Sequence, residues 1–116
     1  MKVLVTGAGA LLGQGILRSL LAGKLTPTIV AADPSPLSAG LYWTPHRTLL
    51  PMATDPRYLE AFEGVLRKER PDAVLVGTDV ELELLARHRA DLEARFSTHV
   101  VVSSPEVVAI ADDKFA

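Results

Sequence analysis

Short apolar runs alternate along the chain with segments whose apolar residues recur every three or four positions. Lys2 to Thr6 is a compact β-branched run, read as a first strand. From Leu11 to Ala22, the residues Leu12, Ile16, Leu17, Leu20 and Leu21 mark a helix with one buried face. Gly23 is placed to stop it. Thr28 to Ala32 predicts a second strand, ended by Asp33-Pro34-Ser35-Pro36 because proline cannot extend a central ladder. Leu37 to Pro45 reads as irregular and carries the only tryptophan, Trp43, and His46 to Leu50 as a short third strand at an edge. Asp55-Pro56 offers an N-cap followed by proline in the first helical position. The helix that follows turns Leu59, Phe62, Val65 and Leu66 inward and ends before Pro71. Asp72 to Gly77 is a fourth strand. Val80 to Phe96 is a charged amphipathic helix with Leu82, Leu85, Leu92 and Phe96 inward, and His99 to Val102 is a fifth strand. Ser104-Pro105-Glu106 then opens another helix with Val107, Val108 and Ile110.

Such alternation implies parallel strands joined by right-handed crossovers. The expected fold is a Rossmann-like open sheet of about five strands in the order 3-2-1-4-5, with helices on both faces. The 116 residues suffice for one such domain and show no repeat or internal boundary. Hydrophobic residues make up 48% but aromatics only 5%, so Val, Leu, Ile and Ala must build the core, as suits a parallel sheet under helices.

Charge and composition exclude more than they assign. A formal charge of −2, without a basic stripe or base-stacking aromatics, disfavours nucleic acid as a partner. The absence of cysteine removes disulfides, thiolate metal sites and a cysteine nucleophile. Met1 to Val5 starts like a signal peptide but breaks at Thr6-Gly7, and no apolar run approaches the ~20 residues that span a bilayer. These features predict a cytoplasmic protein without a membrane partner.

Candidate chemistry gathers at two turns. In Thr6-Gly7-Ala8-Gly9-Ala10-Leu11-Leu12-Gly13, Gly7 suits a tight turn, Gly9 a close ligand approach and Gly13 close helix packing. The helix start favours an anion. The spacing, however, is GxGxxxG where the dinucleotide fingerprint is GxGxxG. Asp33, ending the second strand, stands where a dinucleotide fold keeps its ribose-binding acid, so an NAD(P)-binding module of the epimerase or reductase type is the rival reading. The glycines serve packing alone equally well.

Gly77-Thr78-Asp79-Val80-Glu81 follows the fourth strand, at the crevice where open parallel sheets bind ligands. Thr78 or Asp79 suits a cap, and Glu81 suits the dipole of the first turn; the alternative has Thr78, Asp79 or Glu81 facing a ligand's amino or hydroxyl group. His46, His88 and His99 lack metal-ligand spacing, and Ser35, Ser38, Ser103 and Ser104 sit in turns or caps outside any nucleophile elbow. No catalytic set emerges.

Taken in order, Val3-Leu4-Val5-Thr6-Gly7, Ala32-Asp33-Pro34 with Ser38-Ala39-Gly40-Leu41-Tyr42, Gly77-Thr78-Asp79-Val80-Glu81-Leu82, and Ser103-Ser104-Pro105-Glu106 leading to Asp113-Lys114 closely resemble the pre-ATP-grasp domain of ATP-grasp ligases. The likeness is greatest to those similar to the carbamoyl-phosphate synthase large subunit and covers essentially residues 1–116. It implies the amino-terminal, substrate-side domain of an ATP-dependent carboxylate–amine ligase, inactive alone. Such enzymes activate a carboxylate as an acyl phosphate, with ATP and Mg2+ held in a downstream domain that is missing here. It also implies that Gly7, Gly9, Thr78, Asp79 and Glu81 face a small-molecule substrate. The expected partner is that ATP-grasp domain of the same chain, with weak homodimerisation through the face it leaves uncovered.

Overall fold

The computed structural model describes residues 1–23 and 27–101. The helix expected from Ser104, and Asp113-Lys114, lie outside the described residues. Five parallel strands form one sheet: β1 (Lys2–Val5), β2 (Thr28–Asp33), β3 (His46–Leu49), β4 (Ala73–Leu75) and β5 (His99–Val101). Their order is β3-β2-β1-β4-β5, as the alternation predicts. Register follows from the pleat: Val3 pairs with Ile29 and Ala73, and Val5 with Ala31 and Leu75.

Because side chains alternate across a strand, each strand feeds two cores. Val3, Val5, Ile29, Ala31, Leu75 and Val101 meet Ile16, Leu17 and Leu20 of helix α1 (Leu11–Ala22) on one face. Leu4, Val30, Val74 and Val100 meet helices α2 (Tyr58–Glu69) and α3 (Asp79–Phe96) on the other. Helices therefore cover both faces. The reversal of winding direction falls between β1 and β4, and this positions the site.

Local detail departs from the periodicity in three places. In α1 the buried stripe is Gly13, Ile16, Leu17 and Leu20, while Leu12 and Leu21 are exposed. Gly13 explains the shift: a Cβ there would stand 1.9 Å from the Gly7 carbonyl oxygen, so the helix backbone itself presses on the preceding turn. α2 begins at Tyr58 rather than Pro56, and its N-cap position, Arg57, makes no side-chain cap bond. Asp55 instead closes the turn before it, accepting the Arg57 backbone N–H at 2.9 Å, and that bond leads in holding its carboxyl below the usual range. The segment read as irregular contains a short 3-10 helix, Ala39–Tyr42.

Candidate functional site

The turns after β1 and β4 touch. Gly7 adopts φ +62°, a left-handed conformation natural to glycine, and a Cβ on it would come 2.7 Å from Thr78 Cγ2. Across the same junction the Gly77 backbone N–H donates to Thr6 Oγ1 at 3.1 Å. Both turns therefore lie on one rim of the sheet, at the carboxyl ends of the strands, where open α/β sheets take ligands.

On the α2/α3 side of this rim opens a cleft of about 160 Å³. Gly7, Asp33, Met52, Thr78, Val80 and Glu81 are among the residues that line it. Most of its wall is apolar, with two carboxylates in it, Asp33 and Glu81, each only 7% exposed. Thr78 caps α3, its Oγ1 accepting the Glu81 backbone N–H at 3.2 Å while donating to Glu81 Oε1 at 2.8 Å. The other oxygen, Oε2, accepts from Tyr58 OH at 2.5 Å. The positive end of the α3 dipole and two hydroxyl donors thus hold a buried carboxylate in place. A carboxylate offers about four lone-pair positions, so this one keeps acceptor capacity at the cleft. No salt bridge engages it among the described residues.

Tyr58 was not legible as a functional residue, although Tyr58, Phe62, Val65 and Leu66 repeat at helical spacing and all are buried. Its ring stacks on Phe62 with centroids 5.9 Å apart. Burial first, and Glu81 second, push its hydroxyl far above the ordinary tyrosine range, so it remains a donor. The stretch Leu50–Thr54, which also lines the cleft, carries no periodic signal.

Of the remaining predicted positions, Asp79 and Gly9 separate from this cluster, while Asp33 lines the cleft with both oxygens engaged. Asp79 is exposed and lies outside the cleft lining. Gly9 also lies outside it, and a Cβ on Gly9 would stand 2.4 Å from Ser38 Oγ, so a side chain of the protein occupies the space beside it. The Gly9 N–H donates to Asp33 Oδ1 at 2.9 Å. Asp33 Oδ2 accepts from Ser35 N–H at 3.1 Å and from the Ser38 hydroxyl. The acid expected to meet a ribose is therefore turned inward as a clasp between the glycine turn and the loop after β2. The dinucleotide reading loses both of its anchors here, since the Gly9 donor and the Asp33 acceptor satisfy each other.

Among the described residues no group of three or more His, Asp or Glu side chains is placed to hold a metal ion. No described helix is long and apolar enough to cross a membrane. What the cleft offers chemically is binding: apolar walls beside a fixed, buried carboxylate suit a cationic head on an aliphatic body. Among protein-family models, one described as PylC-like, N-terminal domain, matches residues 3–101. Comparison with curated proteins gives no match.

Proposed function

Because the chain belongs to the PylC-like N-terminal domain family, the pre-ATP-grasp domain of ATP-grasp ligases, we propose that its cleft is the amine-binding side of a carboxylate–amine ligase. The observation that carries this reading is the Glu81 carboxylate, buried at an apolar cleft and partnered by hydroxyls alone. Burying a carboxylate without a cation is costly, and an incoming ammonium group offsets that cost while the apolar wall selects what it is attached to. Tyr58 and Thr78 act as positioning residues, fixing the carboxylate before the ligand arrives.

On this reading the labour is divided between two domains. The ligase joins the amine to a carboxylate activated as an acyl phosphate; ATP and magnesium fall to the ATP-grasp domain, and the present domain binds and orients. Gly7 and Thr78 line the pocket, and Asp79, exposed outside the cleft lining, is available to parts of a substrate that reach beyond it. The rim supports docking of further structure. Leu11 and Val80 stand in the first turns of α1 and α3, Leu37 and Met52 in the loops after β2 and β3, and Leu11 and Leu37 are 86% and 88% exposed. Exposed apolar residues gathered on one rim mark a contact surface. Likeness to the carbamoyl-phosphate synthase large subunit is part of the same proposal.

Assay of a ligase in which this domain is joined to an ATP-grasp domain tests the reading. Amine-dependent ADP release is expected, and Glu81→Gln is expected to raise KM for the amine about tenfold or more, the loss of one charge-assisted contact. An unchanged KM in that variant refutes the assignment of Glu81.

A further inference from the structure

The rim opposite the cleft carries a different chemistry. There the C-termini of α2 and α3 come side by side, and a groove of about 490 Å³ runs between them, lined in part by Arg67, Arg70, Arg95, Phe96 and Ser97. Arg95 is fully engaged: Nη1 donates to Asp91 at 3.0 Å, Nη2 to Glu63 at 2.5 Å, and its guanidinium lies 5.0 Å from the Phe96 ring centre. The guanidinium of Arg67 approaches the same ring at 5.9 Å. Neither Arg67 nor Arg70 has a carboxylate partner among the described residues, and Asp72, the acid of the groove, accepts the Lys2 backbone N–H at 2.8 Å.

Helix termini explain part of this. Cations in a last turn offset the negative end of the dipole, which accounts for Arg67 and Lys68. They do not account for Arg70. That residue closes α2 at φ +49°, in the left-handed region, where glycine is the usual occupant and any other side chain costs on the order of 1 kcal/mol. The cap needs only the backbone conformation; the arginine side chain is surplus to it, and Arg70 lines the groove together with Phe96.

We infer that this groove is a second binding site, taking the oxyanion of a small organic phosphate or carboxylate. Arg67 and Arg70 supply forked donors matched to such groups, and the Phe96 ring, 5.9 Å from the Arg67 guanidinium, backs that arginine. The site lies at the opposite rim of the sheet from the Glu81 cleft and shares no lining residue with it, so it is separate from the amine pocket and does not depend on that assignment.

Amide and arginine Nε–H resonances of the 116-residue chain, followed during titration with sodium phosphate and separately with sodium citrate, test it at ionic strength held constant with sodium chloride. Saturable shifts confined to Arg67, Arg70, Phe96 and Ser97 are expected from at least one anion, and the anion that saturates identifies the ligand as phosphate-like or carboxylate-like. Arg70→Gly is expected to weaken binding about tenfold without lowering Tm, because glycine is at ease at that backbone angle; Arg67→Gln is expected to weaken it likewise. Shifts that do not saturate with either anion, or an Arg70→Gly variant with undiminished affinity, overturn the inference.

Discussion

Replacing Tyr58 by Phe removes one oxygen and leaves the ring stacked on Phe62. The hydroxyl it removes is buried and donates at 2.5 Å to Glu81 Oε2, so the carboxylate loses one of its two hydroxyl donors. A hydrogen bond to a charged group contributes about 1.5–3 kcal/mol, and the apolar ring recovers little of that. We expect a loss of about 2 kcal/mol, which for a domain of this size lowers Tm by roughly 8 °C. The pair must also be coupled: in a double-mutant cycle with Glu81→Gln, the interaction term is expected to be about 1–2 kcal/mol. The pH dependence carries a sign. Folding raises the Tyr58 hydroxyl above its unfolded value of about 10, so its contribution is complete below that pH and is lost as pH rises further, a limb the Tyr58→Phe variant lacks. Urea denaturation of the four proteins from pH 7 to pH 11 reads all three quantities. A Tyr58→Phe variant within 0.5 kcal/mol of the parent at pH 7, or additive single effects (about 0.3 kcal/mol or less of coupling), refutes the claim that Tyr58 holds Glu81 in place.

Two other expectations follow from separate parts of the molecule. Gly13→Ala sets a methyl group 1.9 Å from the Gly7 carbonyl oxygen and is expected to destabilise the fold by more than about 3 kcal/mol; Gly64→Ala, in α2 with nothing within 4 Å, is expected to stabilise it by about 0.5–1 kcal/mol. Thermal unfolding of both variants checks the pair, and similar effects contradict the packing described. Burial works to raise the Glu93 carboxyl, but the Val100 backbone N–H, Arg89 and His99 together outweigh it and hold the group below its ordinary value. Its contribution is therefore present above about pH 4.5 and is lost as pH falls through the lower folded value, so Glu93→Gln is expected to flatten the acid limb of a stability–pH profile; an unaltered limb counts against it.

The architecture was legible because burial on both faces leaves a strong trace. Runs such as Val3-Leu4-Val5 and Ala73-Val74-Leu75 are apolar at every position since odd and even residues feed different cores. Thr78 or Asp79 was legible as a cap from its place before a helical repeat, and Thr78 makes the capping bond. What could not be read were events between distant segments. Gly9 and Asp33 each carry a dinucleotide-like signal, and only their mutual hydrogen bond shows that the signals cancel. Tyr58 and Glu81 lie 23 positions apart, and nothing local in either neighbourhood announces the other. The cleft wall at Leu50–Thr54 belongs to a connecting loop without periodicity, and the Asp55-Pro56 pair misplaced the helix start because its side-chain bond serves a turn instead.

The most direct test of the amine pocket is a resonance titration of the chain with isobutylamine, set against N-isobutylacetamide, which keeps the aliphatic body and removes the charge. Saturable shifts at Gly7, Met52, Thr78 and Glu81 with the amine, absent with the amide and lost in Glu81→Gln, are the predicted result. Equal responses to both compounds, or an amine response that survives in Glu81→Gln, would contradict a carboxylate-based ammonium site.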